Sequence, residues 1–537
     1  MSPRRWLILI IATAAILRLF PIWFGLPYGF ARPDEEVSTT VPTRMLEGTF
    51  NPQFFHWPSF TFDLFAILYG LASVPRRLIT GEAALSYREK VIIGRVAVAC
   101  FGTATVGIVY ALGRRVANQA TGLMAAAILA VALLHVRESH FAMADVLMTF
   151  WLTLSLVLLL RGIDDTAAER ALKWYAASGF AGGLAASTKY NAAAVVVAMG
   201  AAQVVIIGRS LHRVVSLRAW LPSIVFVAAC AAGFLVATPY ALLDYANFRI
   251  GLQEISTHLS GGHGINLGRG WVYHFKYSLP FGLGLTAFAL SLIGIVPFIR
   301  RYPRYAWILG SFTVVVYAVI GSGYAVFFRY ILPIVPILCV SAAVGIEWLT
   351  KVLTIHVGLS RRAALTTLLV VTLTPGLIAS VWLDLLLART DTRVIAARWL
   401  VERLQPEDTL YDGGGVYVGL DLHDARFHQW YFDRVTSSFG HPEGKNPDWI
   451  VLYESPLLMY AQSPIAAVDL AGREYVLVHS VRATRRSARS AVYDQHDAFF
   501  MPMWGFWTVE RPGPTIRIYR RRDLSGSCAS QINVPAV

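Results

Sequence analysis

Two adjacent acidic residues, Asp34 and Glu35, follow the first long apolar run of the chain. That run extends from Trp6 to about Trp23, and about 20 apolar residues are enough for a helix to cross a bilayer. The pair has an ordinary explanation as solvated loop residues or as part of a helix cap. It also has a chemical one, because a carboxylate in a partly screened cavity at a membrane surface suits general-base catalysis on a hydroxyl group.

A second polar group, from His135 to Asp145, joins two apolar runs. Asp145 lies at or just inside the start of the second run, where a charge is costly and therefore usually functional. Helix N-capping, worth about 1 kcal/mol, is the ordinary alternative. Arg137 and His140 suit an anionic head group. Asp145 could instead hold a divalent cation with Asp34, although two carboxylates make a weak metal signal.

Five further residues, at three places in the chain, carry groups that suit a phosphate or a substrate. Lys189 and Tyr190 lie in a polar break between two apolar runs, where a lysine commonly snorkels to the interface but also binds phosphate. Arg329 and Tyr330 lie at another run boundary among aromatic residues, and a planar guanidinium matches phosphate geometry well. His263 lies in a glycine-rich stretch that indicates a mobile loop closing over a substrate, with a functionless linker as the alternative.

The composition indicates the setting in which these residues act. Of the 537 residues, 56% are hydrophobic and only 15% are charged, whereas soluble domains carry about 25% charge. The chain is therefore predicted to be a polytopic α-helical membrane protein. Its net charge of +14 does not indicate nucleic-acid binding, because the arginines lie mostly in short loops between apolar runs. The four cysteines show neither CxxC nor Cys–His spacing, so disulfide and zinc-cluster functions have no support.

The basic residues give a predicted topology. After the first run, further apolar runs predict spans near 91–113, 119–135, 142–160, 174–187, 191–208, 219–238, 277–299, 305–322, 330–350 and 363–387. Basic residues fall in alternate loops, at Arg4, Arg5, Arg114, Arg115, Arg161, Lys173, Arg209, Arg213, Arg218, Arg300, Arg301, Arg304, Arg361 and Arg362. If these loops are cytoplasmic, the chain has about eleven spans, a cytoplasmic N-terminus and an outward-facing C-terminal region. All the candidate residues above then lie on the outward side.

The predicted domain boundary falls at residue 390. Residues 1–390 form the membrane module, with a first outward loop at 28–90 and a long outward loop at 239–272. Residues 391–537 form a small extracytoplasmic α/β domain, which begins with an amphipathic helix at Asp391–Leu404. Short strand-like runs follow at Trp449–Leu452, Tyr475–His479 and Thr515–Tyr519.

The order of these motifs resembles the C-type (GT-C) membrane glycosyltransferases, in the branch of protein O-mannosyltransferases and aminoarabinose lipid A transferases. The resemblance covers most of residues 1–400. It rests on four ordered motifs: the Asp34-Glu35 pair, Ser139–Asp145, Thr188–Asn191 and Phe328–Pro333. It implies the GT-C fold and a multi-pass enzyme of the cell (inner or plasma) membrane.

The resemblance also implies partners and roles. The implied donor is a polyprenyl-phosphate sugar, and the implied acceptor is a hydroxyl group of a glycan, a lipid or a protein. Asp34 is implied as the catalytic base and Glu35 as an acceptor ligand. The implied donor-phosphate and substrate-binding residues are Arg137, His140, Asp145, Lys189, Tyr190, His263, Arg329 and Tyr330. Relatives commonly have arginine where this chain has His140, which puts phosphate binding there in doubt unless Arg137 takes it over.

Two questions stay open at the level of the sequence. No cofactor is certain, because some members of the wider fold need a divalent metal and others do not. The alternative function is a flippase, transporter or polymerase of lipid-linked sugars. A transporter is expected to carry charges at the midplane of the membrane and to show repeat symmetry. The clustering of the candidate charges on one predicted face favours an enzyme, but neither the sugar nor the acceptor is readable.

Overall fold

The computed structural model describes residues 2–208, 216–433, 436, 438–439, 446–485 and 490–523. Arg209 and Arg213, two of the basic residues used for the topology, lie outside the described residues. The chain divides into two compact units. The first comprises Met1–Ile22 and Asp34–Trp382, and the second comprises Trp23–Pro33 and Leu383–Val537. The second unit thus begins before the predicted boundary at residue 390 and includes an N-terminal segment that the sequence did not indicate.

The first unit is helical. Its α-helices are α1 (Pro3–Leu19), α2 (Glu35–Glu47), α3 (Phe60–Thr80), α4 (Tyr87–Val116), α5 (Gln119–Val131), α6 (Leu133–Glu138), α7 (Ala144–Asp164), α8 (Ala168–Thr188), α9 (Val195–Ile207), α10 (Leu217–Ala237), α11 (Tyr240–Leu243), α12 (Tyr245–Gly261), α13 (Gly270–Tyr273), α14 (Leu279–Leu283), α15 (Leu285–Arg301), α16 (Pro303–Ser322), α17 (Val335–His356) and α18 (Arg361–Leu387), the last of which ends in the second unit. Short 3₁₀-helices at Tyr190–Ala194 and Phe328–Ile334 and a π-helix at His274–Ser278 adjoin α-helices.

Seven of the described helices are long and apolar enough to cross a membrane, or eight if the bent pair Gly270–Leu283 and Leu285–Arg301 is one span. The prediction of a mostly helical protein of the membrane is therefore confirmed. The predicted number of eleven spans is not confirmed. One reason is length, because α1 has 17 residues and α5 has only 13.

Both regions predicted as long loops are largely helical. The first, at 28–90, contains α2 and α3, and the second, at 239–272, contains α11 and α12. The prediction of a mobile glycine-rich loop is therefore corrected for residues 245–261, which form one continuous helix. Gly262 and Gly264, which follow it, have positive φ angles of 87° and 67° and let the chain turn at His263.

Helices α8 and α10 pack closely because glycine removes side chains from their interface. A Cβ atom on Gly183 would lie 2.1 Å from the carbonyl oxygen of Cys230, and one on Gly179 would lie 2.1 Å from that of Phe226. Small residues of this kind let the backbones of membrane helices approach each other. The close packing fixes the end of α8, which Lys189 follows directly.

We expect Gly183→Val to destabilise the first unit by about 1–3 kcal/mol, because the new methyl groups must push α10 away. Thermal unfolding in detergent measures the effect. Gly200→Val in α9 is the matched control, since nothing lies within 4 Å of a Cβ atom there. Equal unfolding temperatures for the two variants would contradict a tight α8–α10 contact.

The second unit is built on a mixed sheet. Its strands are β1 (Thr409–Asp412), β2 (His428–Trp430), β3 (Phe432–Asp433), β4 (Ser438–Phe439), β5 (Trp449–Glu454), β6 (Tyr475–Val481) and β7 (Thr515–Arg521). The five-stranded sheet has the order β2-β1-β5-β7-β6, with β3 and β4 forming a separate pair. Strand β1 is parallel to β2 and β5, while β7 is antiparallel to β5 and β6. Helices α19 (Thr392–Val401) and α20 (Ile465–Glu474) belong to the same unit.

Strand β5 is buried on both faces of this sheet. Trp449, Val451 and Tyr453 belong to one apolar cluster, which includes residues of α19. Ile450 and Leu452 belong to a second cluster, which includes residues of α20. Successive side chains of a strand point to opposite faces, so one continuous apolar run serves both clusters.

The segment Trp23–Pro33 is part of the second unit through its polar and aromatic side chains. The hydroxyl group of Tyr28 donates a hydrogen bond to the carbonyl oxygen of Gly419 at 2.8 Å. The guanidinium group of Arg32 contacts Asp497 at 2.5 Å, with both side chains buried. Arg393 lies 4.2 Å above the ring of Tyr28. Burial raises the pKa of the Tyr28 hydroxyl to about 12, so it stays protonated and can donate.

Candidate active site

The first unit contains a cavity of about 860 Å³ at one end of its helices. Seven of the predicted site residues line it: Asp34, Asp145, Lys189, Tyr190, His263, Arg329 and Tyr330. Helices α2 and α7 and the two 3₁₀-helices all begin at this cavity. The N-terminal ends of helices carry partial positive charge and unpaired N–H groups, so this arrangement favours an anion.

Four charged side chains form a continuous series of ion pairs along the cavity. The Nζ atom of Lys189 lies 2.5 Å from Oδ1 of Asp145. The other oxygen of Asp145 lies 3.9 Å from Nε of Arg329, and Nη2 of Arg329 lies 3.4 Å from Oδ2 of Asp34. Two cations thus alternate with two carboxylates. Asp145 is almost completely buried, so it holds Lys189 and Arg329 in place, while Asp34 remains 32% exposed towards the cavity.

Asp34 has a strained backbone. Its φ and ψ angles of 71° and −10° place it in the left-handed region, immediately before the first residue of α2. Residues other than glycine rarely adopt this conformation, although Asp and Asn tolerate it better than most. Strain of this kind persists where the surrounding structure holds it and is frequent at functional sites. Because the backbone changes from left-handed to helical at this point, the side chains of Asp34 and Glu35 point in different directions.

Aromatic rings frame both cations. The guanidinium carbon of Arg329 lies 4.2 Å from the ring centre of Phe327, and Nζ of Lys189 lies 5.3 Å from that of Tyr330. Tyr190 is fixed by a hydrogen bond from its hydroxyl group to the carbonyl oxygen of Phe55. Because Arg329 is only 9% exposed, a ligand anion would meet it in a largely water-excluded environment, where electrostatic attraction is stronger.

Glu35 does not line this cavity. It is 1% exposed, and its two oxygens accept hydrogen bonds from Arg95 Nε at 2.8 Å and Arg95 Nη2 at 2.6 Å. The backbone N–H of Ala142 donates a third hydrogen bond to Glu35 at 2.8 Å. The expectation that Glu35 binds the acceptor is therefore revised. Its carboxylate connects the start of α2 to α4 and to the turn before α7, which is a positioning role.

Arg137 and His140 also lie away from the cavity lining. Both are buried, and Arg137 contacts the adjacent Glu138 at 2.5 Å. The ring nitrogens of His140 contact the backbone oxygens of Val136 and Phe20 at 3.0 and 2.9 Å. These contacts hold the turn between α6 and α7 and do not direct either side chain at the cavity, so the expectation that they bind the donor phosphate is revised.

The cavity has further polar residues beside the predicted site residues, and one of them, His258, belongs to the same glycine-rich stretch as His263. Nε2 of His56 lies 2.6 Å from Glu254, and Nε2 of His258 lies 3.1 Å from Nδ1 of His263. Burial, with the positive charge of Arg329 nearby, lowers the pKa of His258, so its ring stays neutral at pH 7. The sequence shows only that these residues lie in polar stretches. Their pairing could not be predicted, because it depends on how α12 packs beside the segment before α3.

Among the residues that the structure describes, no group of three or more His, Cys, Asp or Glu side chains is placed to hold a metal ion. Asp34 and Asp145, the two carboxylates considered as metal ligands, lie beside Arg329. Both carboxylates therefore form ion pairs with this guanidinium group.

The fold of this chain is similar to that of solved GT-C membrane enzymes. ArnT from Cupriavidus metallidurans bound to undecaprenyl phosphate superimposes with a TM-score of 0.52 at 15% identity, covering 96% of this chain and 98% of that one. The archaeal oligosaccharyltransferase AglB from Archaeoglobus fulgidus gives a TM-score of 0.52 at 13% identity and covers 75% of this chain. The present chain spans only 58% of the length of AglB.

Residues 54–254 match the sequence model of the dolichyl-phosphate-mannose-protein mannosyltransferase family. This segment includes Asp145, Lys189 and Tyr190. No curated protein matches the chain. The resemblance to GT-C enzymes that the four motifs predicted is thus confirmed.

Proposed function

We propose that this protein transfers a monosaccharide from a polyprenyl-phosphate donor to an acceptor hydroxyl group, at the outer face of the membrane. The observation that carries the proposal is the series of ion pairs along one cavity, from Asp34 through Arg329 and Asp145 to Lys189. It offers one carboxylate with access to a substrate and two cations for a phosphate. The matching segment and the solved neighbours support the same class of reaction.

The proposed reaction is a single displacement. Asp34 accepts the proton of the acceptor hydroxyl as the new bond forms between the acceptor oxygen and the anomeric carbon of the sugar. The bond between that carbon and the phosphate oxygen breaks, and the lipid leaves as a phosphate monoester. Attack opposite to the leaving group inverts the anomeric carbon. Arg329 and Lys189 stabilise the charge that develops on the phosphate, which is the main contribution expected of such a site.

The lining of the cavity also suits a sugar. The amide oxygen of Asn191 is buried in its wall, and none of the described residues donates a hydrogen bond to it. A buried polar atom of this kind needs a partner, which a sugar hydroxyl or a water molecule can supply. Trp57, Phe54 and Tyr330 add apolar and aromatic surface for the sugar ring or the first units of the lipid.

A transfer assay tests the proposal. The protein is reconstituted in proteoliposomes with polyprenyl-phosphate donors that carry labelled sugars. Mass spectrometry of lipids that copurify with it identifies which sugar to use. We expect label to appear in a covalent product and polyprenyl phosphate to accumulate in equal amount. A flippase or transporter would move the donor across the bilayer chemically unchanged, and that outcome would refute the proposed reaction.

Arg329→Lys is expected to raise the KM for the donor about tenfold or more, because lysine cannot offer the forked set of donors that matches a phosphate. Donor titrations in the same proteoliposomes measure it. Arg249→Lys is the control, since Arg249 also lines the cavity but is exposed at its rim. If both variants bind the donor as the unaltered protein does, Arg329 is not a phosphate ligand.

A further inference from the structure

A second groove, of about 740 Å³, lies between α1, α5, α17 and α18 of the first unit. Its wall is apolar along most of its length. On α18 the lining residues recur every four positions, at Leu365, Leu369, Leu373 and Leu377. Residues four apart share one face of a helix, so these leucines form a single stripe. From Leu365 to Leu377 the stripe is roughly 18 Å long, at about 1.5 Å per residue.

One end of the groove is cationic. Arg361 precedes the leucine stripe, and Lys351 and Arg301 lie beside it in the lining. All three side chains are exposed, and none forms an ion pair with a carboxylate among the residues that the structure describes. Three exposed positive charges at the end of an apolar groove therefore form a suitable binding place for an anion.

Among the described residues that line the groove, Glu347 is the one acid, and its carboxylate accepts hydrogen bonds. It accepts them from the Thr121 hydroxyl at 2.6 Å and from the Asn118 amide at 3.1 Å. It thus connects α17 to the start of α5. The local formal charge of three cations and one carboxylate is +2, which complements a phosphate head group.

The groove is separate from the candidate active site. Helix α17 follows Arg329 and runs from Val335 to His356. Lys351 lies 16 residues beyond Val335, which corresponds to roughly 24 Å along the helix axis. The two charged regions therefore lie near opposite ends of a helix that is long and apolar enough to cross a membrane. The groove and its cations do not take part in the proposed transfer.

We propose that this groove holds one anionic glycerophospholipid, with its phosphate between Arg301, Lys351 and Arg361 and an acyl chain along the leucine stripe. Basic pockets between membrane helices bind anionic lipid head groups through this combination of charge and apolar surface. The bound lipid would fill the space between α1, α5 and α18 and hold these helices together. The proposal does not depend on the proposed glycosyl transfer.

Native mass spectrometry of the protein, released from nanodiscs of phosphatidylcholine mixed with phosphatidylglycerol, tests this proposal. We expect one phosphatidylglycerol to be retained in preference to phosphatidylcholine. Lys351→Gln or Arg361→Gln is expected to lower that affinity about fivefold each. Arg301→Gln is compared with Arg300→Gln, its exposed neighbour on α15 that does not line the groove, and only the former should lose lipid.

A second variant tests the apolar part of the site without changing charge. Leu369→Trp is expected to fill the groove and to abolish retention, while an unchanged thermal unfolding profile shows that the fold is intact. Equal retention of the two phospholipids by all variants would overturn the proposal. So would displacement of the phosphatidylglycerol by stoichiometric polyprenyl phosphate, because the groove would then belong to the isoprenoid lipid.

Discussion

Asp34→Asn is expected to lower kcat for sugar transfer about 10³-fold, with little change in donor binding. General-base catalysis contributes about 10²–10⁴ to a rate, and an amide cannot take up the acceptor proton. Asparagine is the appropriate substitution because it tolerates the left-handed backbone that Asp34 adopts at φ 71°. The variant therefore removes the base without forcing the start of α2 to refold.

Single-turnover measurements with labelled donor in proteoliposomes give the rate of this variant, and equilibrium binding of the donor gives its affinity. Glu47→Gln is the matched control, since it removes a carboxylate from the exposed far end of the same helix. It should retain the full rate. If Asp34→Asn keeps a rate within tenfold of the unaltered protein, another group is the base.

The charged residues of the cavity could be predicted because each interrupts an apolar pattern. Asp34, Lys189 and Arg329 each adjoin a long hydrophobic run, where a charge calls for an explanation. The sequence could not give their mutual distances. Asp34 and Arg329 are 295 positions apart, and only the packing of the helices brings their side chains to 3.4 Å.

The role of Glu35 could not be read from its position beside Asp34. Asp34 has a left-handed backbone just before α2, and Glu35 is the first helical residue. One acid lines the cavity while the next is buried. Its partner Arg95 lies within the predicted span 91–113, where hydropathy alone does not show which face of the helix is buried in protein.

In the second unit, the three strand-like runs that the sequence indicated are strands β5, β6 and β7. They were recognisable because each is rich in β-branched and aromatic residues. Strands β1 and β2 were missed because they have only four and three residues. The assignment of Trp23–Pro33 to this unit was also not predictable, since it depends on single side chains such as Tyr28 and Arg32.

The buried pair of Glu35 and Arg95 carries the second large expected effect. Arg95→Leu is expected to destabilise the protein by about 3–5 kcal/mol, because it leaves the carboxylate of Glu35 buried without its counter-charge. Arg95 also donates to the carbonyl oxygen of Ile22 at 3.0 Å, so the variant also loosens the end of the segment Met1–Ile22.

Thermal unfolding in detergent, combined with a double-mutant cycle, separates charge from packing. Adding Glu35→Gln to Arg95→Leu should recover part of the lost stability, since it removes the uncompensated charge. Arg76→Leu is the matched control, because Arg76 pairs with Glu89 at a partly exposed site where such pairs contribute about 0–1 kcal/mol. Equal losses for Arg95→Leu and Arg76→Leu, or no recovery in the double variant, would show that the buried pair does not hold α2 in place. If the stability falls as expected, the transfer rate should fall with it, because Asp34 would no longer be held beside Arg329.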